Sequence, residues 1–169
     1  MSKAILITTT DLKKHSIING NVDNDKFIQY INISQDIHLQ QYLGTDLLVK
    51  IQSLLPTDID LAGNAAYKTL LETYIKPMLI HWGMVEFLPF AAYTIANGGV
   101  YKHQSENSIS VDKNEVDYLV EKERDIAQSY TRRFIDYICE NNATYPEYNS
   151  NSGSDVQPIK NSNFGGWLI

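Results

Sequence analysis

Apolar residues recur at every third or fourth position along most of the chain, which is the spacing of helices that bury one face. The clearest run covers residues 113–141, and Asp112 with Glu115 forms a capping-box variant at its start. At 1.5 Å per residue this helix is about 43 Å long, whereas a domain of this size has a radius of gyration of ~15 Å. It is therefore expected to cross the whole domain or to project from it.

The first third of the chain predicts shorter helical elements. A capped turn is expected at residues 10–14, after an extended segment at residues 4–8. A helix then begins after Asp23 and ends at Gly44, which suits a C-terminal cap. Another short helix stops before Pro56, because proline cannot continue it.

A long apolar helix is predicted over residues 67–96, with a helical period that continues to Ala92 across two prolines. Pro77 and Pro89 are each expected to kink it. Its second half, residues 78–96, is nearly apolar, so a membrane span has to be considered. A histidine, a glutamate and Pro89 interrupt that stretch and no basic flank follows, which favours a buried central helix.

Two segments differ from this helical pattern. Residues 100–111 are too polar and too short for a core helix, so they predict a β-hairpin or a projecting loop. From Asn149 a polar low-complexity stretch begins, and the sequence then turns apolar at Phe164 and Trp167. We therefore predict a mainly α fold, a helical bundle over residues 1–144 with an extended C-terminal arm over residues 145–169.

The arm and the 100–111 segment carry apolar residues that a helical core does not need. Such clusters usually mark contact sites, although the arm can equally fold back on its own core. The residues predicted to contact another subunit or partner are Val100, Tyr101, Ile109, Val111, Tyr145, Tyr148, Phe164, Trp167, Leu168 and Ile169.

Charge and composition narrow the possible functions. The net charge is −6 and no segment is basic, which disfavours binding driven by nucleic-acid phosphates. Cys139 is the only cysteine, so no internal disulfide forms and a reducing compartment is indicated. Eleven tyrosines suit surfaces that are buried in one state and wet in another, or equally the flanks of helices.

The sequence shows no pattern typical of a catalytic or metal site. The four histidines lack ligand spacing, and no nucleophile elbow, zinc-protease motif or phosphate loop is present. His38 is expected on a helix flank or satisfied in the core, and Cys139 is expected to be a buried, inert thiol. His81 and Glu86 are five residues apart and therefore off-face, and the acidic run that includes Glu123 is expected to be solvated. We predict no catalytic residue, no metal and no cofactor.

The opening of the chain resembles a known family. The stretches "ITTTDLKKH", "NGNVDND" and "KFIQYINISQDIHLQQYLGTDL" are similar to the start of the head–tail connector (adaptor or head-completion) proteins of tailed phages. The matching positions are Thr8 or Thr9 through Lys13, the acidic loop at residues 23–25, and Tyr42-Leu43-Gly44. The resemblance covers residues 5–55, with looser agreement of helix order to about residue 140.

That resemblance implies a structural subunit of the virion, assembled in the host cytoplasm, and no enzyme. Copies would form a ring, dodecameric by this likeness, beneath the portal protein, with loops and terminal arms locking neighbours. Further tail or ring proteins would be partners, and DNA would pass through the lumen without sequence readout. The alternatives are a small helical binding or regulatory module, with an apolar ligand between the kinked helix and the last helix, and an enzyme built from dispersed residues.

Overall fold

A computed structural model describes residues 4–18, 24–91, 93–96, 99–102, 112–150 and 156–161, and the fold is mainly helical. Helix α1 spans Thr9–His15 and begins with a reciprocal capping box between Thr8 and Asp11. Each of these two side chains accepts a hydrogen bond from the other's backbone N–H, which satisfies two donors at the helix start. The predicted capped turn is confirmed.

The next helix is one continuous rod with a wider turn inside it. It consists of α2 (Asn24–Ser34), a π-helical segment (Gln35–Leu39) and α3 (Gln40–Leu43). Gly44 ends it with φ 74°, a backbone conformation that glycine adopts without steric cost. Helix α4 (Thr45–Ser53) follows after this turn, and it ends before Pro56 as predicted.

The central helix is interrupted in the same way. It runs through α5 (Ala65–Thr69), a π-helical segment (Leu70–Ile75) and α6 (Lys76–Phe87). Pro77 is the second residue after the π segment, where its missing N–H removes one helical hydrogen bond. The predicted extension to residue 96 is wrong, because Pro89 lies in a 3₁₀ turn (Leu88–Phe90) that ends the helix.

A short hairpin follows where the central helix was expected to continue. Strands β1 (Tyr93–Ala96) and β2 (Gly99–Lys102) pair antiparallel, with Tyr93 opposite Lys102. The hairpin predicted at residues 100–111 is therefore not supported at that position. Because the helix ends at the proline turn, residues 93–96 are available to pair with residues 99–102 as strands. The rest of the predicted hairpin, residues 103–111, lies outside the described part.

Helix α7 spans Lys113–Glu140, and its capping box of Asp112 and Glu115 is confirmed. Helix α8 (Pro146–Ser150) follows after a 3₁₀ turn (Asn142–Thr144). Residues 156–161, called the strap below, then return to the body of their own chain. The predicted arm over residues 145–169 therefore needs correction, since its start is a packed helix.

The core is built around α6, which packs on α7 and on α2. Gly83 allows the close approach of α2, because a Cβ atom there would lie 2.6 Å from Cδ1 of Ile31. None of the helices within the described ranges is both long and apolar enough to cross a bilayer. The buried residues of α6 are Met78, Leu79, Ile80, Trp82, Gly83, Met84, Val85 and Phe87.

Candidate functional site

Helix α7 has two halves with different surroundings. Residues 113–122 include no buried side chain, and Tyr118 is 59% exposed. Leu119 is also exposed, although it lies in the apolar pattern of the helix. From Glu123 onward one face of the helix packs into the body, with Phe134 and Ile138 fully buried. We call residues 113–122 the projecting half.

A second exposed apolar surface lies beside the proline turn at the end of α6. Phe90 and Tyr93 are 55% and 49% exposed. The ring of Tyr30 stacks on Phe90 at 5.8 Å and meets Phe87 edge-on at 5.5 Å. These rings form a cleft of about 250 Å³, called the aromatic cleft below. Its lining residues are Lys26, Gln29, Tyr30, Phe87, Phe90, Ala91 and Tyr93.

The predicted interface residues fall into three groups. Tyr145 and Tyr148 are buried in their own chain, which corrects their assignment to a subunit surface. Val100 and Tyr101 lie on β2, close to the projecting half in sequence. The remaining six, Ile109, Val111, Phe164, Trp167, Leu168 and Ile169, lie outside the described residues.

Buried tyrosines fasten α8 to the helices beneath it. Tyr145 donates a hydrogen bond to the carbonyl oxygen of Ala66 at 3.1 Å, and Tyr137 donates to the Tyr145 oxygen at 3.1 Å. Tyr67 donates to Oε2 of Glu147 at 2.7 Å. Partial burial and this carboxylate raise the pKa of Tyr67 to about 12. Desolvation likewise raises the pKa of Tyr145.

The strap packs across this region by main-chain hydrogen bonds. The N–H of Thr45 donates to the carbonyl oxygen of Val156 at 3.1 Å, and the N–H of Ile159 donates to that of Gln41 at 2.8 Å. The carbonyl oxygen of Lys160 lies 3.9 Å from Sγ of Cys139. Cys139 is half-buried, less enclosed than its sequence neighbours predict.

Two histidine–glutamate pairs hold α6 against its neighbours. His38 Nε2 lies 2.7 Å from Oε1 of Glu86, and its ring stacks on Trp82 at 4.1 Å. His81 Nδ1 lies 2.7 Å from Oε2 of Glu123. The prediction of a solvated Glu123 is wrong, because this carboxylate is almost fully enclosed between α6 and α7.

A hydrogen-bond chain inside the core lies next to these two histidine–glutamate pairs, and together they are called the polar seam below. Trp82 Nε1–H donates to the Thr131 hydroxyl at 3.0 Å, and that hydroxyl donates to the carbonyl oxygen of Ala127 at 2.7 Å. Thr131 is completely buried, so both partners are satisfied without water. The seam explains why α6, α7 and the first helical rod meet in one register.

A cleft of about 170 Å³ opens between α1, α6 and α7. Lys76 Nζ spans it between Asp11 at 3.3 Å and Glu72 at 2.8 Å, and the paired rings of His81 and Tyr130 form a wall. Partial burial raises the pKa of Asp11, but hydrogen bonds from Thr8 and the charge of Lys76 outweigh it and lower the pKa. The charged lining suits ion pairs better than the apolar ligand envisaged for a binding module.

Sequence reasoning missed these pairs because their members are far apart in the chain. His38 and Glu86 are 48 residues apart, and His81 and Glu123 are 42 apart. One signal was present, since Glu123 lies on the apolar face of α7 together with Leu119 and Ala127. Among the described residues, no cluster of histidine, cysteine and acidic side chains is suited to holding a metal ion.

Comparison with known proteins places the chain in a family. A family model matches residues 39–158, from the π segment before α3 to the strap. The chain belongs to DUF6712, a family of unknown function. No curated protein and no solved structure matches it. The match to DUF6712 takes in α6, α7, the aromatic residues at the end of α6 and both glutamates of the polar seam.

Proposed function

We propose that this DUF6712 chain is a structural subunit of a tailed-phage head–tail connector, in which copies associate into a ring between portal and tail. The observation that carries the proposal is the projecting half of α7. This capped segment is about 15 Å of helix, and among the described residues it exposes Tyr118 and Leu119 while burying no side chain. A self-associating subunit needs a surface of this kind.

The projecting half and the aromatic cleft belong to the same end of the body. The 3₁₀ turn that carries Phe90 contacts α7, and the hairpin of β1 and β2 leaves from the same turn. Tyr118, Leu119, Phe90 and Tyr93 therefore give this end several exposed apolar groups. Aromatic residues are enriched at the centres of protein interfaces, which supports a docking role for this end.

The resemblance of residues 5–55 to connector proteins supports the proposal independently. Two of its motif positions organise the N-terminal part of the fold. Thr8 and Asp11 cap α1, and Gly44 makes the sharp turn between α3 and α4. A shared motif at fold-determining positions favours a shared helical architecture, and it is by analogy with that family that a ring follows.

The proposed partners are other copies of the chain, the portal protein and further tail or ring proteins in the virion. Ring closure requires heterologous contacts, in which one surface of a copy meets a different surface of the next. DNA would pass through the lumen without base-specific contacts. The excess of acidic residues, 20 against 14 basic, suits a wall that does not retain the phosphate backbone.

Native mass spectrometry and electron microscopy of the full chain test this proposal, first alone and then with portal rings. We expect closed rings, either of the chain alone at high concentration or on the portal. A chain that stays monomeric over the whole concentration range and also fails to bind portal rings would refute the proposal.

A further inference from the structure

The aromatic cleft is a concave apolar site that the described residues leave open. Phe87 forms its buried floor, and Phe90 and Tyr93 form walls that are about half exposed. Lys26 stands at the rim. Such a cleft favours an aromatic or aliphatic side chain without charge, since stacked or edge-on rings add to the gain from burying apolar area.

The sequence after the strap has this chemistry. Residues 162–169 lie outside the described part, and they contain Phe164, Trp167, Leu168 and Ile169. None of residues 161–169 carries a charged side chain. Gly165 and Gly166 leave the backbone free to present the two aromatic residues to different surfaces. We call residues 162–169 the tail.

The position of the strap determines where the tail starts. Lys160 lies against Cys139 and above the ring of Tyr148, near the C-terminal end of α7. Two residues before Cys139 on the same helix, Tyr137 stacks on Tyr74 at 4.0 Å. The described chain therefore stops at Asn161 in the neighbourhood of Tyr74, which lies near the middle of the central helix.

The aromatic cleft lies at the C-terminal end of that helix. Tyr74 and Phe90 are sixteen residues apart, a distance of about 24 Å along the axis. Trp167 is seven residues after Lys160 and reaches about 23–25 Å when fully extended. The extended length from Lys160 to Trp167 therefore barely equals the distance to the cleft of the same chain. The cleft of a neighbouring copy can lie closer to the tail.

We infer that the aromatic cleft of one copy binds Trp167 and its apolar neighbours from the tail of a second copy. This inference rests on the proposed ring function and names the two surfaces of its heterologous contact. The strap acts as the anchor on the donor copy, because its main-chain hydrogen bonds to Gln41 and Thr45 hold the start of the tail. The acceptor copy supplies Tyr30, Phe90 and Tyr93.

Photo-crosslinking of the full chain tests the contact. Leu168 is replaced by the photoreactive p-benzoylphenylalanine, which keeps Trp167 in place, and this protein is mixed with ¹⁵N-labelled wild-type chain. We expect crosslinked peptides that join the tail of one isotope to residues 26–30 or 87–93 of the other. The same photoreactive residue in place of Ile17, which is 67% exposed, is the control for random collisions.

A paired substitution gives an independent readout. Phe90→Ser with Tyr93→Ser should weaken self-association about tenfold or more in sedimentation velocity, as loss of interface aromatics does. Leu61→Ser is the matched control, since Leu61 is 59% exposed and lies outside the cleft. Circular dichroism checks that both proteins keep their helical content.

The outcomes separate this inference from the proposed function. Crosslinks found only within the unlabelled isotope and never to the labelled chain, or only to surfaces outside the aromatic cleft, would overturn the inference while rings still form and the proposed function stands. Unchanged association of the Phe90→Ser, Tyr93→Ser protein would overturn it as well. Absence of any association, alone or with portal rings, would overturn both.

Discussion

The two halves of α7 have the same helical geometry and opposite surroundings. Residues from Glu123 onward face α6 across a polar seam and a set of buried apolar side chains. Residues 113–122 include no buried side chain, yet the apolar pattern continues through Val116, Leu119 and Val120. Among the described residues, the buried side chains of this 28-residue helix therefore all lie from Glu123 onward.

The difference separates residues that fold the subunit from residues available for its contacts. Burial stabilises the C-terminal half at about 25 cal/mol per Å² of apolar area. The projecting half gains nothing comparable until another surface covers it. Substitutions in the two halves should therefore affect different measurements.

The largest expected effect is on folding. Phe134→Ala removes a completely buried ring and should lower the free energy of unfolding by about 3–5 kcal/mol. Leu119→Ala, in the projecting half, should change it by less than about 0.5 kcal/mol. Urea unfolding followed by circular dichroism measures both values. Equal losses at the two positions would remove the distinction between the halves.

A smaller effect is expected in the polar seam. Thr131→Val keeps the shape of the side chain but removes the acceptor for Trp82 Nε1–H, which is then buried without a partner. The free energy of unfolding should fall by about 1–3 kcal/mol. Thr131→Ser retains the hydroxyl and should recover the Trp82 hydrogen bond while losing one methyl group. A Val protein as stable as wild type would show that Trp82 finds another acceptor.

The tyrosines beneath α8 predict an effect of alkaline pH. The pKa of Tyr67 is about 12 in the folded chain and about 10 when unfolded, because burial and Glu147 disfavour the phenolate. Its contribution to stability is therefore complete below pH ~10 and is lost as the pH rises toward ~12. Tyr67→Phe should show a shallower decline between those values in urea midpoints. An identical slope in both proteins would contradict this linkage.

The smallest effect on stability should accompany a large effect on assembly. Tyr118→Ser with Leu119→Ser removes two exposed apolar side chains, of which Tyr118 is 59% and Leu119 38% exposed. The urea midpoint should stay within the range of surface substitutions, about 0.5 kcal/mol, while ring yield falls. Leu61→Ser again serves as the control of matched exposure. Full ring yield from the double variant would exclude the projecting half from the contact.

Local sequence signals predicted the parts of this fold that depend on local physics. The capped turn at residues 10–14, the capping box at Asp112, the end of α3 at Gly44 and the span of α7 all follow from a few neighbouring residues. Helical periodicity also located the buried face of the last helix. Each of these features is decided within one or two turns of the chain.

The features that sequence reasoning missed depend on tertiary packing. Pro89 was expected to kink a longer helix, but it ends that helix and releases Tyr93 into a strand. Tyr145 and Tyr148 resemble surface anchors in sequence, and only the contacts of α8 with α4 and the central helix bury them. Glu123 pairs with a histidine 42 residues away, which no local pattern specifies. Such placements follow from how the helices meet.

The most direct test of the central claim is hydrogen–deuterium exchange of the wild-type chain over a concentration series. Residues 113–122 include no buried side chain, so their backbone amides should exchange faster than those of residues 127–138 at low concentration. We expect their exchange to slow as the chain self-associates, while residues 127–138 remain unchanged. Exchange in residues 113–122 that is independent of concentration, in a sample shown by mass to be assembled, would contradict the account.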